Sequence, residues 1–172
     1  MSTYFRTVQN ENLNLSKLIQ CHKEILGFNY DMTVDWAIEL INSGIENENV
    51  CMLASFSKPT DSREIKPFVS AVLKELKLGE KEGKEATLSL INYHLTEIIQ
   101  DKSIRDNLRS LYEICTDSNF GFGLMNFYLL YHGWNELDEM GVNFYYDGAD
   151  KSNIEKIIKK EAINWIENYK TE

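Results

Sequence analysis

The carboxylates that follow Trp134 have a spacing that could support acid–base chemistry. Glu136, Asp138 and Glu139 lie within four positions at the end of an aromatic stretch. Paired carboxylates can serve as general acid and base, and an aromatic ring beside them suits a sugar or a cation. Acidic side chains are unfavourable at the carboxyl end of a helix, because the helix dipole prefers cations there. That misfit is typical of a functional site, but a solvated helix end stays open as the alternative.

The three histidines, His22, His94 and His132, do not form a metal-binding pattern. They fall on three predicted helices, and the repeated Glu-x-x-His motif of di-iron bundles does not occur. The acidic residues between positions 147 and 155 do not match the spacing of a calcium loop. We expect histidines with satisfied hydrogen bonds in the core. The sequence predicts no metal and no cofactor.

Motifs for nucleophilic or nucleotide chemistry do not occur either. The sequence has no G-x-S-x-G and no P-loop, and the G-x-G within residues 120–123 has no third glycine. Cys21, Cys51 and Cys115 stand far apart, and none of them belongs to a motif that pairs a cysteine nucleophile with a local histidine base. An odd number of cysteines without C-x-x-C spacing predicts free, buried thiols in a reducing compartment, which favours the cytoplasm. We assign no catalytic residue and expect a protein that is not an enzyme.

Acidic residues are concentrated in two segments, residues 24–57 and 110–150, that contain no Lys or Arg. Together they carry −13, whereas the net charge of the whole chain is −9. The second segment also holds ten of the twenty aromatic residues. Such a distribution disfavours nucleic acid as a partner, since phosphate binding needs a basic face. It favours a basic partner, or acidic surface that only keeps the protein soluble.

Helical periodicity extends over most of the 172 residues. The apolar spacing, capping residues and glycines predict helices over about 13–26, 31–43, 48–56, 65–76, 84–100, 103–115, 123–137 and 152–169. Pro67 suits only the first turn of a helix or a kink, so we expect the fourth helix to begin near it. Ser103 with Asp106 and Ser152 with Glu155 resemble capping pairs. Residues 142–146 suit either a short β segment or an irregular aromatic loop.

These elements predict an all-α fold, an irregular bundle or HEAT-like stack of seven to eight helices, in a single domain over residues 1–172. The stretch 120–137 is apolar on every face of a helix, which predicts a central core helix. Its apolar run is too short to span a bilayer, because a transmembrane helix needs about 20 consecutive apolar residues. The amino terminus has no apolar run, so we expect no signal peptide and no membrane anchor.

One resemblance begins at Trp36-Ala37-x2-Leu40-x3-Gly44 and continues through Leu53-Ala54 and the helix over 65–78. This pattern resembles small all-helical bacterial proteins of unknown function. A helix near Ser103 and a closing helix around Trp165 extend the similarity over most of the chain. Proteins of this kind often resemble immunity proteins or antitoxins, which neutralise a basic toxin by masking it. The matching residues are helix-packing positions, so the resemblance implies no site residues.

The sequence therefore favours a protein-binding module with an acidic, aromatic-rich surface that binds a basic protein partner, and toxin neutralisation is one version. The candidate interface residues combine aromatic anchors with carboxylates. They are Trp134, Glu136, Asp138, Glu139, Tyr145, Tyr146 and Asp147. Two alternatives stay open. One is a small enzyme or small-molecule-binding protein whose pocket lies beside the 120–137 helix, and the other is a self-associating subunit such as a homodimer.

Overall fold

The computed structural model describes residues 14–169, and these residues form eight helices. Helix α1 covers residues 14–19. The others are α2 (Asp31–Asn42), α3 (Glu48–Ala54), α4 (Ser62–Glu75), α5 (Gly83–Ile99), α6 (Ile104–Asp117), α7 (Met125–Met140) and α8 (Ile154–Tyr169). No β-strand occurs within residues 14–169. The prediction of an all-α fold with seven to eight helices is confirmed.

The chain divides into two compact units between Leu90 and Ile91, inside α5. The prediction of a single domain over residues 1–172 remains a prediction. Among residues 14–169, no helix is both long enough and apolar enough to cross a membrane. The three cysteines are free, and Cys21 and Cys115 are buried as expected, whereas Cys51 is half-buried.

The first unit has a buried apolar cluster that contains Trp36. This side chain is fully buried, and its indole Nε1 donates a hydrogen bond to Ser16 Oγ at 3.1 Å. A tryptophan can be buried at low cost only when its N–H has a partner. The predicted apolar stripe of α4 packs into the same cluster through Ile65, Val69, Val72 and Leu73.

Helix α1 is shorter than the 13–26 helix that the periodicity predicts, because it ends at residue 19 and turns follow. Gln20 accounts for the early end. Its backbone carbonyl accepts a hydrogen bond from Lys81 N at 2.9 Å, and its side chain donates to Leu78 O at 2.6 Å. A continuing helix would need that carbonyl for the residue four positions on, so the contact with the 78–81 segment competes with helix formation.

Helix α4 begins at Ser62, five residues before Pro67, so the prediction that it begins near the proline is wrong. The side chain of Asp61 caps the helix by accepting a hydrogen bond from Arg63 N at 2.8 Å. Pro67 lies inside the helix, where it removes one backbone hydrogen bond. Burial of Ile65 ahead of the proline offsets that cost, since the residue is fully buried.

Helix α7 is buried mainly on one side rather than on every face. Phe127, Leu130 and Leu137 are buried, whereas Met125 is exposed and the helix's tyrosines are half-buried. The half-buried side carries stacked rings, for example Tyr112 of α6 against Tyr131 with centroids 4.3 Å apart. The expectation of a fully surrounded core helix is therefore wrong. The apolar residues outside the buried stripe form a partly exposed aromatic cluster.

The two predicted capping pairs do not form. Ser152 Oγ donates to Asp150 Oδ1 at 2.6 Å, and α8 begins at Ile154. Ser103 precedes α6, but its side chain makes no capping hydrogen bond, and its backbone is left-handed with φ 38° and ψ 52°. Ser152 thus pairs with a neighbouring side chain in the turn before α8 instead of capping the helix.

Replacing Ser103 with glycine is expected to raise the free energy of unfolding by about 0.5–1 kcal/mol, because glycine adopts a left-handed backbone without the cost that a Cβ imposes. Chemical denaturation would measure the change. Ser103→Ala is the matched control. It keeps the strained backbone and loses a hydroxyl that caps nothing, so it should not be stabilising. A loss of about 1 kcal/mol or more in both variants would contradict this account, since that is the cost of removing a true cap.

Candidate functional site

The predicted interface residues lie at the end of α7 and in the loop that follows it. Residues 142–146 form an irregular aromatic loop and no β segment. Glu139 and Asp147 are exposed, and within residues 14–169 neither carboxylate forms an ion pair or a hydrogen bond. These two are free to meet a partner. The other acidic candidates have structural contacts.

Arg105 of α6 contacts two of the predicted interface residues, Asp138 and Trp134. Its guanidinium forms an ion pair with Asp138 and donates to Asn135 Oδ1 at 3.0 Å. It also lies 5.3 Å from the centroid of the Trp134 ring, in a cation–π contact. Trp134 is half-buried beneath this cation. Asp138 and Trp134 are therefore partly satisfied within the fold, and neither is an open anchor.

Glu136 holds the loop in place. Its Oε2 accepts a hydrogen bond from the backbone N–H of Phe144 at 2.8 Å. The contact explains why a carboxylate is tolerated at the unfavourable end of α7, since a donor from beyond the helix compensates for the dipole. Glu136 and Asp138 each have a donor partner within the fold, the Phe144 N–H and the Arg105 guanidinium.

Asn143 organises the loop with four hydrogen bonds. Its Nδ2 donates to the carbonyls of Tyr146 and Ala149, at 2.9 and 2.8 Å. Its Oδ1 accepts from the backbone N–H groups of Tyr145 and Tyr146, at 2.9 and 2.8 Å. Asparagine suits this role because its amide offers donors and an acceptor at once. The loop is thus fixed by one side chain that the sequence did not single out.

The fixed loop displays apolar side chains to solvent. Phe144 is 81% exposed, and Met140, Val142 and Tyr145 are also exposed. Tyr146 is half-buried, and both burial and its hydrogen bond to Glu161 raise the pKa of its hydroxyl. Phe144, Met140 and Val142 are not among the predicted interface residues, because their exposure depends on loop geometry. We define the display surface as Glu139, Met140, Val142, Phe144, Tyr145 and Asp147.

His132 supports the base of the display surface. Its ring stacks on Tyr145 with centroids 5.0 Å apart, and Tyr112, Tyr128 and Tyr131 make edge contacts with it. Its Nε2 is buried without a hydrogen-bond partner among residues 14–169. The expectation of a satisfied core histidine is therefore wrong for His132. It holds for His94, whose Nδ1 lies 2.8 Å from Asn107 Oδ1.

The first unit contains a separate polar network around Glu80. His22 is buried, with Nδ1 3.0 Å from the Tyr30 hydroxyl and Nε2 3.2 Å from Glu80 Oε1. Ser70 donates to the same carboxylate oxygen, and Lys23 forms an ion pair with the other. The prediction of a satisfied core histidine is confirmed for His22. Because Ser70 donates to Glu80 and not to His22, this geometry lacks the hydrogen bond of a serine–histidine nucleophile pair.

Electrostatics in this network favour a neutral histidine beside an ionised carboxylate. Burial lowers the pKa of His22 below its ordinary value, although Glu80 opposes that shift. The pKa of Glu80 is lowered to about 2 by hydrogen bonds from Lys23, Ser70 and His22, which outweigh the opposing effect of its burial. The network connects the segment after α1, helix α4 and the segment before α5. Its evident role is to hold these segments together.

No protein-family model, curated protein or solved structure shows significant similarity to this chain. Within residues 14–169, no group of three or more His, Cys, Asp or Glu side chains is placed to hold a metal ion.

Proposed function

We propose that this protein is a non-enzymatic binding module whose display surface holds a basic protein partner. Neutralisation of a basic toxin, in the manner of an immunity protein or antitoxin, is the concrete version that we favour. We place the protein in the cytoplasm, where free thiols such as its three cysteines persist.

The observation that carries the proposal is the exposure of Phe144 on a fixed loop. An aromatic side chain in water contributes binding energy when a partner covers it, and a few such residues usually dominate an interface. Asn143 and Glu136 already hold the loop backbone through hydrogen bonds. A partner would therefore meet a preorganised surface, and little ordering entropy would be lost on binding.

The charge of the display surface indicates the kind of partner. The carboxylates of Glu139 and Asp147 are exposed and unpaired within the described residues. The segment 110–150 around them contains no Lys or Arg. Exposed carboxylates at the rim of an aromatic patch steer a positively charged partner and accelerate its association. Of the seven predicted interface residues, we assign direct contact to Glu139, Tyr145 and Asp147, and support of the surface to the other four.

The proposal is tested on a protein that the tagged chain captures from native lysate at low salt and releases at high salt. The purified protein must bind directly, and its sequence must be basic. Phe144→Ala should then weaken affinity by about 30-fold, the effect of losing about 2 kcal/mol at an aromatic hot spot. The double variant Glu139→Lys/Asp147→Lys should lower the association rate by about 10-fold or more and weaken its salt dependence. Surface plasmon resonance across a salt series would measure both.

Matched controls separate this surface from general effects of charge and exposure. Leu26→Ala removes a fully exposed apolar side chain elsewhere, and Glu82→Lys/Glu85→Lys makes the same change in net charge outside both acidic segments. Neither control should alter binding. The proposal would be refuted if the captured protein were acidic. It would also be refuted if a basic captured protein bound Phe144→Ala with unchanged affinity and Glu139→Lys/Asp147→Lys with an unchanged association rate. A second copy of the chain as the only captured protein would favour the self-associating alternative.

A further inference from the structure

A polar and aromatic cleft lies between α7 and α8 in the second unit. Its cavity volume is about 230 Å³, below the range of about 300–1,000 Å³ that is usual for drug-sized ligands. Six side chains give it its chemistry: Asn126, Glu161, Asn164, Trp165, Asn168 and Tyr169. The cleft flanks the 120–137 stretch, but it contains none of the carboxylates between positions 136 and 139.

The aromatic wall of the cleft is a stacked pair. The rings of Trp165 and Tyr169 are nearly parallel, at 7°, with centroids 4.4 Å apart. The Trp165 indole is fixed because its Nε1 donates to Phe122 O at 2.8 Å. Gly123 lets the pair approach the backbone, since a Cβ at that position would lie 3.3 Å from the Tyr169 ring. The hydrogen bond fixes Trp165, and Gly123 leaves room for Tyr169 against the backbone.

The polar wall combines amides with one carboxylate. Asn126 Nδ2 donates a hydrogen bond to Glu161 Oε2 at 2.7 Å. This contact holds the Glu161 carboxylate at the cleft. The Asn164 side-chain amide makes no hydrogen bond to any residue among 14–169. An amide at a cleft with no protein partner has both its donors and its acceptor available to a ligand.

We propose that this cleft binds a neutral carbohydrate of about one sugar ring. A hydroxyl group donates and accepts hydrogen bonds, and so does a primary amide, so the unpartnered amide of Asn164 matches a polyhydroxylated ring. The apolar C–H face of such a ring packs on an aromatic side chain. The carboxylate of Glu161 can accept from a hydroxyl. It would repel an anion, and none of the described residues that line the cleft is Lys or Arg.

The carbohydrate site does not depend on the display surface for its argument. It uses α8 and the beginning of α7, whereas the display surface uses the end of α7 and the loop after it. An open cleft with few polar contacts implies weak affinity, and we expect dissociation constants in the millimolar range. A sugar at this site would be a ligand in its own right, or the terminal residue of a larger glycan.

The test is a nuclear magnetic resonance titration of the full ¹⁵N-labelled chain with glucose, galactose, mannose and N-acetylglucosamine. We expect at least one sugar to shift the Trp165 indole N–H and the side-chain amides of Asn126 and Asn164 in a saturable manner. Asn164→Ala should weaken that sugar about 10-fold, and Tyr169→Leu should weaken it by a similar factor through loss of the aromatic ring. The control is Asn42→Ala, which changes an exposed asparagine of the first unit and should leave the titration unaltered.

The titration also distinguishes other ligands. Absence of any saturable shift with all four sugars would overturn the proposal, provided that the spectrum shows a folded chain. It would also be overturned if Asn164→Ala and Tyr169→Leu, folded by the same criterion, bound the sugar as tightly as the unaltered chain. Shifts produced by tetramethylammonium chloride and not by the sugars would show a cation site built on Glu161 and the rings instead. None of these outcomes bears on partner binding through Phe144, so failure of one proposal leaves the other standing.

Discussion

Replacing Glu80 with glutamine is expected to lower the free energy of unfolding by about 1–2 kcal/mol at pH 7, with a smaller effect as the pH falls towards 2. The carboxylate is the common acceptor for His22, Ser70 and Lys23. Glutamine keeps the shape and can accept a hydrogen bond, but it loses the charge. The remaining partners would then surround a neutral group at a site where only 23% of the Glu80 side chain is exposed.

The magnitude follows from the pKa of Glu80. A fall from 4.5 to about 2 corresponds to about 3 kcal/mol as an upper bound. Lys23, the charged partner, is 47% exposed, and solvent screening weakens exposed ion pairs. The expected loss is therefore smaller than the bound. It still exceeds the effect of an ordinary surface substitution, which is usually within about 0.5 kcal/mol.

The sign of the pH dependence is the same for both titrating groups. The lowered pKa of Glu80 gives stability that is present above pH 4.5 and lost as the pH falls towards 2. The pKa of His22 is also lowered, so the unfolded chain takes up its proton first and stability falls as the pH drops below 6.5. Urea denaturation between pH 7 and pH 3 should show a decline in two steps. Glu80→Gln should flatten the lower step and deepen the upper one, because Glu80 would no longer oppose the lowering of the His22 pKa.

Glu75→Gln is the matched control for Glu80→Gln. Glu75 is an exposed carboxylate of the first unit that accepts a hydrogen bond from Asn49. Its replacement should change stability by about 0.5 kcal/mol or less at every pH. Equal effects of the two substitutions at pH 7, or an unchanged lower step in Glu80→Gln, would contradict the role assigned to the network.

The helices could be predicted from the sequence because their signals are local. Gly44 and the spacing of Val34, Ala37 and Leu40 place α2 within one or two residues of its observed bounds. The errors occur where a distant contact competes with a local one. Gln20 ends α1 early because its carbonyl and side chain form hydrogen bonds with the 78–81 segment. The sequence of residues 13–26 contains no signal that predicts this distant contact.

The candidate surface could be predicted in composition but not in detail. Its position after Trp134 follows from the charge and aromatic distribution. The state of each residue depends on partners elsewhere, as when Arg105, 33 positions away in the chain, neutralises Asp138. Phe144 is exposed because Glu136 and Asn143 fix the backbone around it. The sequence alone leaves open whether Phe144 is buried or displayed, although large aromatic side chains are usually buried.

Replacing Gly133 with alanine is expected to destabilise the protein by about 1–3 kcal/mol, although the same change in a helix interior ordinarily stabilises by about 1 kcal/mol. Gly133 is buried within α7 and faces the loop. A Cβ at this position would lie 2.9 Å from Asn143 Oδ1 and 3.3 Å from its Cγ. The end of a free side chain could move aside at little cost. Asn143 cannot, because four hydrogen bonds hold its amide.

A double-mutant cycle isolates this contact. Asn143→Ala alone removes the four loop hydrogen bonds and should cost about 2–4 kcal/mol at a partly exposed site. In Gly133→Ala/Asn143→Ala the amide is gone, so the added methyl no longer clashes, and the combined cost should fall short of the sum by about 1 kcal/mol or more. Thermal and chemical denaturation would measure each variant. If Gly133→Ala alone were stabilising, the loop would be able to move away from the added methyl group at little cost. If the effects of the two substitutions were strictly additive, the destabilisation by Gly133→Ala would not arise from contact with Asn143.

The same glycine connects stability to partner binding. If the fixed loop presents Phe144, then Gly133→Ala should reduce affinity for the basic partner even though it alters no residue of the display surface. The loss should approach that of Phe144→Ala, because a displaced loop carries the ring out of position. Unchanged far-ultraviolet circular dichroism would establish that the helices persist in the variant. Full affinity in a destabilised Gly133→Ala would show that the ring finds its partner without a preformed loop, and the preorganisation argument would fail.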